Sequence, residues 1–438
     1  MSKLTDIDIS TELDGVRMRS PLGVSPHNLD KAWFPGSRAA KLFMKYVDAG
    51  AGFIYLPAIV PGEPTEWEKR LDFEELFVNQ QYVGRWLKVG EGNFVIGHIY
   101  TAKNLFNYLS WAEDALKELR KSLPDDVPVI AQALVHGTDL DEWAKQVQRV
   151  SELEPDMIEL NTGCPVGLMD VVDARKLPPE AKWGMAMGTS PEIFLPVMEV
   201  AVKSTDLPVG FKLTPESGYP RMLHLAEGAA KLGAKHVVTT HKYFAIAPPD
   251  IWNEGKPMFP ALDANCPADM GGAVLRLSMY KATALISMNI PEIQCFAGGG
   301  ITRPEHVAEA IMLGAYACQT LTGIVTNGIK FITQVNEWLK SYMNKCGYSK
   351  ISDFRGKALR YIKPTQDTYF PYYIAKVNEE KCTGCSKCSE SYCPAIVMVN
   401  NPSGKPKRLP KVDPSLCSSC AMCGFICPVD AISYVPRS

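Results

Sequence analysis

Met157-Ile158-Glu159-Leu160-Asn161-Thr162-Gly163-Cys164-Pro165 is a short apolar run that passes directly into a loop of Asn, Gly and Pro. A strand covered by helices on both faces has this composition, because neither face needs to be polar. The same pattern recurs at 21–25, 53–57, 94–99, 127–134, 209–214, 236–240, 293–297 and 315–321, and several of these runs end in Gly, Asn, Thr or Pro. Amphipathic stretches with helical spacing lie between them, at 139–153, 191–204, 221–232 and 303–313. Many strands alternating with helices over this length favour an α/β fold, a (β/α)8 TIM barrel, with a doubly wound sheet as the competing architecture. Ahead of the first barrel strand, 7–20 reads as a hairpin with its turn at Asp14-Gly15.

The bulk properties set limits on what the barrel serves. A chain of 438 residues that is 46% apolar and 21% charged has enough apolar surface for a sizeable core. The net charge of −2 gives no basic field for nucleic acid or for a membrane surface. No run is long and apolar enough for a transmembrane helix, and MSKLTDIDIS has neither an apolar signal core nor an Arg-rich transit pattern. The 13 cysteines are unevenly placed, with a dense cluster between Cys382 and Cys427 and the others scattered. An odd count with metal-type spacing argues against a disulfide framework and for a reducing compartment, hence the cytoplasm. The domain boundaries expected are 1–345 for the barrel with its hairpin, 346–374 for a connecting arm rich in aromatics, Lys and Pro, and 375–438 for a cysteine-rich domain.

That last domain holds Cys382-x2-Cys385-x2-Cys388-x4-Cys393-Pro394 and Cys417-x2-Cys420-x2-Cys423-x3-Cys427-Pro428. Three closely spaced thiolates on a turn can grip three corners of an iron–sulfur cubane. Tetrahedral zinc sites also use CxxC pairs, but two four-cysteine runs that each end in Cys-Pro are far more specific. The stretch resembles the bacterial two-cluster ferredoxins, departing from them in the x4 spacing before Cys393. The resemblance implies an α+β domain with two [4Fe–4S] clusters in which the fourth Cys of each run serves the other cluster. One set is then Cys382, Cys385, Cys388 and Cys427, and the other is Cys417, Cys420, Cys423 and Cys393.

In the barrel, residues at the C-terminal ends of strands face the active site. Cys164 is there, and a thiol of pKa about 8.5 can donate a proton at neutral pH; a buried packing cysteine is the plainer alternative. Lys212, inside the strand at 209–214, needs a partner, which can be an anionic flavin edge or a buried carboxylate. Gly298-Gly299-Gly300 and Gln319-Thr320-Leu321-Thr322-Gly323 end the last two strands, where backbone N–H groups commonly meet phosphate. Cys266 is a second candidate acid, and Cys295, Cys318 and Cys346 read as packing residues.

Taken in order, Glu159-Leu160-Asn161-x-x-Cys164-Pro165, Gly184-Met185-Ala186-Met187-Gly188, Lys212-Leu213-Thr214-Pro215 and Gly299-Gly300-Ile301 resemble the dihydroorotate dehydrogenase-like flavoproteins. With the ferredoxin tail, the whole is similar to the catalytic subunits of the dihydropyrimidine dehydrogenases. The resemblance implies FMN at the barrel mouth. Lys212 would meet its pyrimidine edge, the backbone of Gly299, Gly300, Leu321 and Thr322 its phosphate, and the Ser25 turn its ring. Asn161 would bond both substrate and flavin, and Cys164 would be the general acid on a closing loop. The reaction implied is reduction, or formation, of a C=C bond conjugated to a carbonyl in a small cyclic substrate. A relay role within a larger complex, or reduction of a non-pyrimidine ring, is the alternative. Three positions depart from the family: Tyr55-Leu56-Pro57-Ala58 lacks a lysine, Val166 replaces a polar residue, and Thr240-His241-Lys242 stands where an Asn would read the substrate amide. His241 is therefore the second expected substrate contact. No dinucleotide fingerprint follows a strand, so electrons are expected from a separate FAD/NAD(P)H-binding subunit or a soluble ferredoxin. The family precedent is a homodimer, and a homodimer or hetero-oligomer is expected here.

Overall fold

The inward and outward faces of the apolar runs are already distinguishable in Val129–Ala133, where every residue is buried. Ala131 and Ala133 join a large cluster with helix residues, while Ile130 packs with Phe53, Met157 and Phe296 in a separate one. The structure, a computed structural model, describes residues 7–27, 36–62, 85–89, 95–99, 107–135, 137–163, 184–246, 248–257, 267–369, 371–391 and 393–437. Two compact units divide the chain, 1–361 and 362–438.

In the first unit the barrel strands are β1 (Leu22–Val24), β2 (Ile54–Val60), β3 (Val129–Ala133), β4 (Met157–Leu160), β5 (Val209–Lys212), β6 (His236–Val238), β7 (Gln294–Gly298) and β8 (Ala317–Thr320). They are hydrogen-bonded in the order β1-β8-β7-β6-β5-β4-β3-β2, all parallel, with the short strand Asn107–Tyr108 beyond β2. The seam between β1 and β2 is drawn together by the Gly52 N–H, which donates to the Leu22 carbonyl at 2.8 Å. This is a nearly closed TIM barrel. The helices that cover it are α1 (Gly36–Asp48), α2 (Leu109–Leu119), α3 (Leu140–Ser151), α4 (Pro191–Lys203), α5 (Arg221–Leu232), α6 (Arg276–Asn289), α7 (Glu305–Met312), α8 (Thr322–Asn327) and α9 (Phe331–Cys346). Their ends carry ordinary signals: the Asp139 side chain accepts from the Glu142 N–H at the start of α3, Pro191 opens α4, and left-handed glycines at 233 and 347 end α5 and α9.

The hairpin forms as expected, Thr11–Leu13 against Val16–Met18 around Asp14-Gly15. Leu13 and Met18 pack with Phe53, Ile130, Met157, Val238 and Phe296, so the hairpin plugs one end of the barrel interior. One strand expectation is corrected. The run at 94–99 supplies no barrel strand. Val95–Ile99 lies in a separate four-stranded antiparallel sheet with Arg85–Val89, Pro267–Gly271 and Tyr243–Ile246. The expected connecting arm divides. Ile351 and Phe354 are buried with α7 and α9 in the barrel's outer core, while Tyr373 already begins a strand of the second unit.

That second unit is a ferredoxin-like fold of two similar halves. Strand β9 (Tyr373–Val377) pairs antiparallel with β12 (Ile432–Pro436), and β10 (Ile396–Asn400) with β11 (Arg408–Val412). Short helices α10 (Lys387–Glu390) and α11 (Met422–Phe425) each follow a cysteine turn. Ala375, Cys388, Ile396 and Cys423 form its small core.

Candidate functional site

The two cysteine turns have the same backbone. Ser386 and Ala421, each directly after the second Cys of its motif, both hold the left-handed conformation, with φ of 62° and 60°. Non-glycine residues rarely adopt it, and alternation with right-handed neighbours aims successive N–H groups into one concavity, the kind of nest that holds anionic clusters. One cavity is lined by Cys382, Cys385, Cys388 and Cys427, the other by Cys393, Cys417, Cys420 and Cys423. The sulfurs ring these spaces and do not converge on a point: among the described residues no three His, Cys, Asp or Glu side chains come close enough to hold a single metal ion. Backbone donors already face two sulfurs, Gly384 N–H to Cys382 Sγ at 3.4 Å and Ala431 N–H to Cys427 Sγ at 3.2 Å. Such bonds to cluster sulfur are a lever on potential.

In the barrel unit the other expected site residues share one rim, the C-terminal ends of the strands. Ser25 follows β1 and donates its N–H to the Thr320 carbonyl at 3.0 Å. Asn161 follows β4, Lys212 ends β5, His241 lies beyond β6, Gly299 and Gly300 follow β7, and Leu321 and Thr322 follow β8. Both glycines have positive φ, and a Cβ would meet Thr240 Cγ2 at 2.7 Å from Gly299 and the Arg276 backbone N at 2.5 Å from Gly300. Only glycine fits this loop. Cys164, Val166 and Cys266 lie outside the described residues. Cys295 and Cys318 are buried, and burial pushes the Cys295 thiol up to about 12. Cys346 corrects its expectation as a packing residue: it is exposed at the end of α9.

The rim is polar and incompletely satisfied. Asn161 Oδ1, Thr240 Oγ1, His241 Nδ1 and both amide atoms of Gln319 are buried with no partner among the described residues. Native proteins bond nearly all such atoms, so a ligand offering both donors and acceptors fits this rim, as the edge of a flavin ring does. Burial, then the Lys212 and Lys242 ammonium groups, hold His241 well below the ordinary histidine range, so its imidazole is neutral at neutral pH.

Beneath the rim is a residue of the first matching stretch that was given no role there. Glu159 is fully buried; Tyr55 O–H donates to its Oε2 and Gln132 Nε2 to its Oε1, each at 2.7 Å. Burial pushes its carboxyl up, and the Lys212 charge is the largest force pulling it back. The carboxylate is thus the nearby partner that the sequence left open for Lys212. Glu159, Thr240 and Gln319 share one signal, a polar residue at an inward, alternate position of an otherwise apolar strand.

A TIM barrel with a polar, ligand-seeking mouth, joined in one chain to a cysteine-ringed ferredoxin domain, is the build of an iron–sulfur oxidoreductase. The 4Fe-4S binding domain family matches residues 410–433. The chain is 27% identical to the NAD-dependent dihydropyrimidine dehydrogenase subunit PreA of Escherichia coli (strain K12), over 73% of this chain and 74% of that one. It is 31% identical to the catalytic subunit of dihydroorotate dehydrogenase B (NAD(+)) of Pyrococcus abyssi, over 57% of this chain and 74% of that one. The chloroplastic dihydropyrimidine dehydrogenase (NADP(+)) of Arabidopsis thaliana is 24% identical over 58% of each. The chain belongs to this family of dihydroorotate and dihydropyrimidine dehydrogenase subunits, oxidoreductases acting on CH–CH groups, and carries an iron–sulfur-binding ferredoxin domain. Among the described residues no helix is long and apolar enough to cross a membrane.

Proposed function

We propose that the chain is the substrate-converting subunit of an FMN- and iron–sulfur-dependent dehydrogenase, acting on a C=C or CH–CH bond conjugated to a carbonyl in a small cyclic substrate, as dihydropyrimidine dehydrogenase does. The observation that carries this is the set of unpartnered buried polar atoms on Asn161, Thr240, His241 and Gln319, gathered beside Lys212 and the Gly299-Gly300 loop. A bound FMN supplies hydride transfer and exchange between electron pairs and the single electrons that clusters carry. Lys212 would supply positive charge to the flavin ring, and the backbone of Gly299, Gly300, Leu321 and Thr322 would hold its phosphate, with the Ser25 turn as a further contact to the ring. Asn161 orients substrate against cofactor through its amide. Cys164 delivers a proton to the substrate carbon opposite the one that receives hydride, and takes it back in the reverse direction.

In the ferredoxin domain, Cys382, Cys385, Cys388 and Cys427 hold one [4Fe–4S] cluster, and Cys393, Cys417, Cys420 and Cys423 a second. A separate FAD/NAD(P)H-binding subunit or a soluble ferredoxin would supply the electrons that such clusters carry. His241 and Lys242 in place of an amide reader favour a ring with an anionic or differently substituted edge, since an unmatched buried donor or acceptor discriminates steeply.

The test is anaerobic photoreduction of the purified protein, followed by addition of uracil, thymine, orotate or small cyclic enones. Reoxidation of flavin by one of these supports the reading; if none of the pyrimidines reacts, the dihydropyrimidine assignment falls. Cys164→Ser should slow turnover by roughly 10²-fold or more while leaving flavin content unchanged. Undiminished turnover would instead favour a subunit that only relays electrons.

A further inference from the structure

Among the described residues Glu159 is the one buried acid and Lys212 the one buried Lys or Arg. They stand on adjacent strands. In the register of the sheet Glu159 is opposite Gln132 on β3 and Gly210 on β5. Gly210 leaves room on that side, and the His236 ring of β6 takes it, since a Cβ at 210 would lie 2.3 Å from the imidazole. Lys212 is the next inward residue of β5 toward the mouth. The carboxylate is immobilised from two directions by Tyr55 and Gln132, and Gln132 is itself fixed by accepting the Ala58 N–H at 3.1 Å. Both carboxylate oxygens face donors, the arrangement of an ionised group.

We propose that Glu159 is a positioning residue that supplies a fixed countercharge to Lys212, keeping this lysine protonated at the barrel mouth whether the flavin is oxidised or reduced. The proposal rests on the flavin reading above. A buried ammonium without a partner loses its proton. An oxidised flavin ring is neutral and offers no countercharge; a reduced one does. Without Glu159 the proton on Lys212 would come and go with each reduction. With it the charge is permanent. The groups acting on Glu159 are Tyr55 from β2, Gln132 from β3 and Lys212 from β5, with the His236 ring of β6 filling the space over Gly210; beyond β6, His241 interacts electrostatically with both Lys212 and Lys242 and is held neutral. Tyr55 is held protonated by burial and by Glu159 itself, and burial holds His236 neutral, so neither competes as countercharge.

The test is the midpoint potential of the bound flavin, measured by spectroelectrochemistry of the whole protein between about pH 6 and 10. The native protein should show a single constant pH dependence. Glu159→Gln should add a bend toward steeper dependence, as Lys212 takes up a proton on reduction. The double variant Glu159→Gln with Lys212→Met should lose that bend, which assigns the proton to the lysine. Tyr55→Phe, which keeps the ring but drops the hydroxyl, should bend the same way by less. A native profile in Glu159→Gln, or in Tyr55→Phe should the first fail to fold, overturns the proposal. Purified native protein without a flavin absorption spectrum would overturn the flavin reading itself.

Discussion

The imidazole of His236 lies inside the barrel with its ring edge-on to Phe296, centroids 5.2 Å apart, and neither nitrogen has a partner among the described residues. Burial pushes its pKa down to about 3, and that of the buried His27 to about 4. An unfolded chain protonates both near 6.5. Below that pH the unfolded state binds more protons than the folded one, so the contribution of these groups is present above about pH 6.5 and is lost as pH falls toward the folded values. Urea titrations of native protein and of His236→Phe should show this. From about pH 7 to 4.5 the native protein should lose at least about 2 kcal/mol more than the variant, in which an apolar ring takes the same space. Equal losses would mean that His236 finds a partner or a water in solution. This acid sensitivity was not legible in the sequence, where His236 opens one more apolar run. Lys212 was legible as a buried charge, because lysine within an apolar strand is conspicuous. Its carboxylate partner was not, because the contact joins β4 to β5 and only the sheet register brings the two together.

At the scale of elements, the seam between β1 and β2 decides whether the sheet closes. Gly52 approaches Ser20 so closely that a Cβ would lie 1.8 Å from the Ser20 carbonyl oxygen, and the Gly52 N–H bonds Leu22 across the seam. Backbone cannot swing aside as a side chain does. Gly52→Ala should therefore cost about 3 kcal/mol or more, above the usual range for overpacking, and lower the thermal midpoint of the barrel. A variant as stable as the native protein would mean that this seam is more open than described. The barrel strands were legible because burial on both faces leaves an apolar run, and the helices because their caps and periods agree. The run at 94–99 shows where that signal fails. An apolar stretch of the same length also serves an antiparallel sheet, and its partners, Arg85–Val89 and Pro267–Gly271, are set by pairings that periodicity does not encode. The hairpin was legible from Asp14-Gly15, but not its place as a plug, which depends on Leu13 and Met18 finding the barrel interior.

On the scale of the whole molecule, each cavity of the ferredoxin domain is lined by cysteines of both motifs. Cys393 belongs to the first motif but lines the cavity of Cys417, Cys420 and Cys423, and Cys427 belongs to the second motif but lines the cavity of Cys382, Cys385 and Cys388. After the short helix α10 the Ser391 hydroxyl donates to the Cys388 carbonyl at 2.8 Å. If each cavity holds a cubane, the anaerobically purified protein should carry about eight irons per chain. Exchange makes a sharper prediction than the count, because it fixes which single substitutions share a phenotype. Cys427→Ala should perturb the same cluster as Cys382→Ala, and Cys393→Ala the same one as Cys417→Ala, although each pair is split between the two motifs. Paramagnetic resonance of the reduced protein separates the cases: two overlapping signals in the native protein, one remaining signal in each variant, identical within a pair and different between pairs. Should Cys427→Ala leave the signal that Cys417→Ala leaves, each motif serves its own cluster and the exchange is wrong. If the pairs match as expected, loss of either cluster loosens both halves of the domain, because each cluster then bridges one motif to the other.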